Sequence, residues 1–234
     1  MIRENIIYLK SKIEDIAESY GRNRKNVRLV AVSKRFPADA IKEAQSAGQI
    51  IFGENYIQEM LEKYDTLKGE VQFHFIGHLQ SNKAAAAARI CSMIETVDRI
   101  KLARILNKQL RLLNKKLDIL IQVNIAKENA KSGITPQQTE ELLKGIQELD
   151  MLRPLGLMTM PPFSDDPEGS RIHFKRLKEL ADTLGIKKLF YNNSKIELSM
   201  GMTNDYAVAI QEGATLVRIG TAIFGQRLPN KNIV

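Results

Sequence analysis

Residues 27–34 read Val-Arg-Leu-Val-Ala-Val-Ser-Lys, a near-continuous apolar run broken by Arg28 and Ser33. Such a run predicts a strand buried on both faces, as in a parallel sheet, rather than the alternating pattern of a half-solvated one. Arg35, Phe36 and Pro37 then end it, because proline lacks the backbone donor a ladder needs and favours the first turn of a helix. Lys34 is thereby expected at the carboxyl end of a rigid, dry strand. An ammonium there loses hydration, its neutral form is favoured, and a free amine can condense with an aldehyde. The plain alternative is a strand-end lysine reaching into water, and this segment alone favours the plain one.

Composition sets outer limits. A chain of 234 residues with 44% hydrophobic content can bury one large core, and one domain spanning 1–234 is expected. Thirty-five Lys and Arg against 27 Asp and Glu leave a formal +8, which suits an anionic ligand, nucleic acid or a soluble surface equally. The single Cys91 excludes an internal disulfide framework, and the chain shows neither a signal-like start nor a long apolar span. A cytoplasmic protein with no membrane partner is the expectation.

Outward from the opening strand, the pattern repeats. Before it, Ile2, Ile6, Leu9, Ile13 and Ile16 recur at helical spacing and Gly21 supplies a stop, predicting an extra N-terminal helix within 1–21. After it, helical stripes at 38–47, 57–64, 84–88, 100–106, 136–146, 174–184 and 207–211 alternate with strands at 50–52, 73–77, 93–97, 117–123, 155–160, 196–200 and 216–219. Asp98 is expected to cap one of these helices. Thr135-Pro136-Gln137-Gln138 combines a cap, a first-turn proline and a capping-box glutamine for another. Eight strands separated by helices predict an α/β fold, a single (β/α)8 TIM barrel with its core over 27–225; a doubly wound open sheet has the same alternation.

In a closed barrel the strand carboxyl ends converge on one face, bringing together Lys34, Asn55, His78, Asn124, Met158 to Met160, Ser199 to Gly201 and Arg218 to Thr221. Barrels of this kind often hold a phosphate in the loops after strands seven and eight, where Ser199, Gly201, Gly220 and Thr221 fall. Glycine lets the main chain approach and the hydroxyls can donate. Either loop alone would pass for an ordinary turn.

At these residues the chain resembles a known family. VAVSK (30–34), FGENYIQE (52–59), HFIGHLQSNK (74–83), KSGI (131–134), LSMGMTND (198–205) and VRIGTAIFG (217–225) are similar to the pyridoxal phosphate homeostasis proteins, the YggS or PROSC family. The resemblance implies a fold-type III barrel like the N-terminal domain of alanine racemase, with pyridoxal 5'-phosphate held as an aldimine. It matches Lys34 to the aldimine lysine, Ser199, Gly201, Gly220 and Thr221 to the phosphate cup, Arg218 to the arginine beside the pyridine nitrogen, and Asn55 to a place near the ring hydroxyl. Met158 is expected to offer an apolar face to the ring. Thr203 stands where the family often has Ser, and keeps the hydroxyl.

The chemistry agrees with that matching. A guanidinium beside the pyridine nitrogen opposes its protonation, which makes the ring a poor electron sink. Racemases of the related fold carry a second, β-rich domain and a second acid/base, and a counterpart of neither is expected here. A non-catalytic carrier is therefore expected, a monomer that buffers the cofactor and hands it to pyridoxal phosphate-dependent apoenzymes. The alternative is an enzyme such as an amino-acid racemase. His74, His78 and His173 lack a metal spacing, Cys91 reads as a small buried residue, and the basic residues Lys108, Arg111, Lys115 and Lys116 lack the aromatic interleaving of a nucleic-acid surface. Lys131 and Lys195 are candidates for a transient second attachment.

Overall fold

The computed structural model describes residues 1–67, 69–126 and 132–226. Eight parallel strands run β1 (Arg28–Val32), β2 (Ile51–Glu54), β3 (Gln72–Phe75), β4 (Met93–Val97), β5 (Leu117–Gln122), β6 (Leu152–Met158), β7 (Glu197–Ser199) and β8 (Leu216–Ile219). They pair in sequence order, and β8 pairs back onto β1 with Arg28 opposite Leu216 and Ala31 opposite Ile219. That last ladder closes the sheet. An open doubly wound sheet is excluded, and the fold is the (β/α)8 barrel.

The helices α2 (Ala38–Ser46), α3 (Ile57–Leu67), α4 (Ala84–Ile90), α5 (Ile100–Leu112), α6 (Pro136–Gln147), α7 (Arg171–Ile186), α8 (Tyr206–Gln211) and α9 (Thr221–Phe224) follow successive strands. Their apolar stripes meet the outward strand residues in one continuous core, built around Phe52, Phe73, Phe75 and Phe174, all nearly or fully buried. The extra helix α1 (Ile2–Ser19) buries Ile6, Leu9, Ile13 and Ala17 against α2, α8 and α9. It therefore lies outside the barrel, over the seam where the last strand meets the first. Among the described residues, no helix is long and apolar enough to cross a membrane.

Two helix starts differ from expectation. Asp98 does not cap α5: Arg99 is the N-cap residue, and the Asp98 carboxylate instead accepts from its guanidinium at 2.6 Å. Thr135 is the N-cap of α6 with Pro136 in its first turn, but its hydroxyl donates to Gln138 Oε1 at 2.8 Å instead of accepting from a helix amide. In each case a neighbouring side chain competes for the capping oxygen.

Candidate functional site

The period-two alternation of a strand decides which side chains enter the barrel. Val30, Met93, Leu120, Met158 and Leu216 form an apolar cluster separate from the main core. Two residues further along their strands, the same face carries Val32, Glu95, Gln122, Met160 and Arg218. One step more along β1 and β8 reaches Lys34 and Gly220. The interior is thus dry at depth and polar towards the carboxyl ends.

Above that filling lies a cavity of about 280 Å³. Lys34, Asn55, Arg218, Gly220 and Thr221 are on its wall, together with Val32, Ile76, Met160, Phe163, Met202, Thr203, Asn204 and Asp205. Lys34 enters from a tight turn in which Phe36 N–H donates to Ser33 O at 3.1 Å and Arg35 takes a φ of +66°. Gly220 sits one strand away and is the N-cap of α9, with Thr221 as the first helical residue, so amides of the opening turn face the cavity end of β8. A Cβ on Gly220 would come within 3.2 Å of Val32 O, a crowded approach that favours glycine here.

A buried hydrogen-bond chain crosses the lumen. His74 Nδ1 lies 2.7 Å from Glu95 Oε1, Ser199 Oγ donates to Glu95 Oε2 at 2.5 Å, and Arg218 donates to Ser199 Oγ at 2.5 Å and to Thr159 O at 2.8 Å. Strands β4 and β7 are not neighbours, so the Glu95–Ser199 bond must span the interior. Burial pushes the Glu95 carboxyl upward, but the bond from His74 and the charges of His74 and Arg218 outweigh it and hold it below the usual carboxylate range. Burial lowers the pKa of Arg218 against the pull of Glu95 and Asp205, yet an arginine starts so high that it stays a cation. Arg218 is therefore a fixed, charged donor at the cavity floor.

Five of the eight residues singled out in the sequence, Lys34, Asn55, Arg218, Gly220 and Thr221, share this one cavity. The other three do not line it. Met158 is fully buried in the apolar cluster, one layer too deep, and Met160, two residues past the end of β6, is on the wall instead. The Ser199 hydroxyl is committed to Glu95 and Arg218. Gly201 is buried with a φ of +91°, and a Cβ there would lie 2.5 Å from Ala209 Cβ, so it serves the packing of its loop on α8. Met202, Asn204 and Asp205 were not singled out. Asp205 is an anion on the wall, but its oxygens accept from Met202 N and Ser170 Oγ, which ties down the loop after β7.

Other groups are accounted for elsewhere. Arg111 pairs with Asp150 at 2.9 Å, and Lys115 Nζ donates to the carbonyls of Ala88, Arg89 and Cys91, so these cations serve the fold. Among the described residues, no three metal-capable side chains stand together. Lys131 lies outside the described residues, and Lys195 is exposed in the turn before β7.

The wall has the donors and the reactive group that pyridoxal phosphate requires: an amine, a cation, hydroxyls, first-turn amides and apolar side chains. Asn55 Oδ1 is buried without a hydrogen-bond partner among the described residues, an acceptor that a ligand hydroxyl would satisfy. Residues 8–228 match the family described as alanine racemase, N-terminal domain. The pyridoxal phosphate homeostasis protein of Haemophilus influenzae is 42% identical over 229 residues, covering 97% of this chain and 96% of that one. PipY of Synechococcus elongatus, solved with PLP bound, superposes with a TM-score of 0.84 at 32% identity, covering 96% of this chain and all of that one. An alanine racemase of Clostridium difficile gives a TM-score of 0.75 at 13% identity over 97% of this chain but 61% of its own, a likeness of fold.

Proposed function

Because the chain belongs to the pyridoxal phosphate homeostasis proteins, within the alanine racemase N-terminal domain family, we propose that it binds pyridoxal 5'-phosphate at the barrel mouth and carries it without turnover. The observation that supports this most strongly is the meeting of Lys34, from the first strand, with Gly220 and Thr221, from the end of the eighth, in one cavity. Lys34 supplies the amine for the cofactor's aldehyde. The α9 amides and the Thr221 hydroxyl receive the phosphate, with the hydroxyl of Thr203 nearby. Asn55 accepts from the ring hydroxyl, and Met160 and Met202 give the ring an apolar surface.

When bound, the cofactor supplies an aldehyde that reacts with amines and a ring that withdraws electrons once its nitrogen is protonated. Arg218 offers that nitrogen only donors, and the Ser199 and Thr159 bonds keep the guanidinium from turning away. This arrangement holds the ring and withholds its electron-sink state. We read the protein accordingly as a cytoplasmic, monomeric single-domain carrier that passes the cofactor to apoenzymes.

Borohydride reduction of the loaded protein followed by peptide mass spectrometry tests the site. The pyridoxyl mass is expected on Lys34, and Lys34→Ala should lose it with the visible absorbance. Label confined to surface lysines would overturn the assignment. Multiple-turnover exchange of an amino acid's α-proton with solvent would overturn the carrier reading in favour of a racemase-like enzyme.

A further inference from the structure

Behind β1, on the side away from the cavity, lies a buried charged cluster with no part in the wall. Lys63 on α3 is 5% exposed, and its ammonium donates to Ser33 O at 2.8 Å, Glu54 Oε1 at 2.6 Å and Glu59 Oε1 at 2.7 Å, using all three of its hydrogens. Ser33 Oγ also donates to Glu54 Oε1, at 2.6 Å. Glu59 Oε1 accepts the backbone N–H of Arg35 at 2.5 Å. The two residues that flank Lys34 in sequence are thus both tied, from behind, to a bonded pair of α3 side chains, Ser33 to Lys63 and Arg35 to Glu59.

The chain between those ties is under tension. Arg35 adopts a left-handed φ of +66°, a region that non-glycine residues leave unless their surroundings hold them. Strand parity explains the arrangement: Val32 and Lys34 face inward, so Ser33 and the following backbone face α3, and Glu54 at the end of β2 faces it too. An i,i+4 pair on α3, Glu59 and Lys63, then reaches both ends of the turn.

We propose that Lys63 and Glu59 position Lys34, by clamping Ser33 and Arg35 so that the turn between them delivers the lysine side chain into the cavity. They are positioning residues, touching the turn and not the ligand. The inference rests on the reading of Lys34 as the cofactor's lysine. Without the clamp the turn relaxes towards conformations that do not deliver Lys34, and apparent affinity falls with the fraction still competent. For one left-handed residue released from its support, that fraction drops about tenfold.

The test uses the full chain. Lys63→Met leaves the buried Glu54 carboxyl without its cation, facing half-buried Glu59, and can fail to fold, so Glu59→Ala, at the partly exposed site, is the second variant and Glu59→Gln its conservative partner. Amide hydrogen exchange at Arg35 is measured without the cofactor, and pyridoxal 5'-phosphate binding by absorbance titration. Glu59→Ala should speed Arg35 exchange about tenfold and weaken binding about tenfold, while exchange in the barrel strands stays at the wild-type rate. Glu59→Gln, which keeps the acceptor, should stay within about twofold of wild type on both, and a folded Lys63→Met should follow Glu59→Ala. Unchanged Arg35 exchange in Glu59→Ala, exchange raised evenly through the chain, or Glu59→Gln falling as far as Glu59→Ala would overturn the clamp. The exchange arm judges the clamp alone. Failure of wild-type Lys34 to take a reduced pyridoxyl label would instead remove the functional reading beneath it.

Discussion

The clearest quantitative consequence of the cluster behind β1 concerns Glu54. Its side chain is fully buried, its Oε2 has no partner among the described residues, and its carboxyl is raised from 4.5 to about 7. Desolvation is the largest cause, with Lys63 opposing it, Glu59 adding to it, and the hydrogen bonds of Lys63 and Ser33 opposing. A carboxyl whose folded pKa lies above its unfolded value binds more protons in the native state, so its contribution to stability is full at low pH and is lost as pH rises through that window. A shift of this size corresponds to about 3 kcal/mol lost between about pH 4.5 and pH 8. Glu54→Gln has nearly the same shape and does not titrate. Urea unfolding of both proteins across that range should show the variant gaining on wild type by about 3 kcal/mol as pH rises, whatever constant offset the amide introduces. The slope is steepest near pH 6. A difference that stays flat would show the carboxyl unshifted, and one that falls with pH would show the Lys63 charge overriding desolvation; either refutes the reasoning.

Three further expectations follow from named contacts. Cys91 is fully buried with its thiol pushed up to about 12, so Ellman's reagent should react only as urea unfolds the chain, and prompt labelling of the native protein would contradict its placement. A Cβ on Gly77 would stand 2.3 Å from Asn55 O, so Gly77→Ala should cost about 3 kcal/mol or more in urea unfolding and weaken cofactor binding, because relief of the clash moves a wall residue. Ser199→Ala removes a donor to Glu95 and an acceptor for Arg218, with an expected loss of about 1–3 kcal/mol; a neutral result in urea titration would mean that the lumen chain adds nothing to stability.

Much of the fold was legible because the barrel is repetitive. Each strand announces itself as a short apolar run and each helix by its stripe, and the count of eight matches the closed sheet. Depth was harder to read. Met158 and Met160 share a face and differ by one layer, and only the closed barrel determines which of them meets the cavity. Ser199 reads as a phosphate donor by its loop, yet parity turns its hydroxyl into the lumen towards a carboxylate three strands earlier in sequence order, a partner that no local pattern reveals. Glu95 and Glu54 are hidden in the sequence for the same reason. A lone acid in MIETV or at the end of IFGE looks solvated until its partners arrive from elsewhere in the chain. The available signal was the acid's presence within an otherwise buried run, which requires a compensating cation or donor.

The pairing of β8 with β1 has a consequence for biogenesis. Lys34 follows the first strand and is made before Gly220 and Thr221, which follow the eighth, with six further strands and their helices between them. The cavity therefore cannot exist until β8 has been made and has paired with β1, since half of its wall is missing before then. On the proposed function, capture of the ligand must wait for ring closure, so a loaded molecule is one whose barrel has already closed.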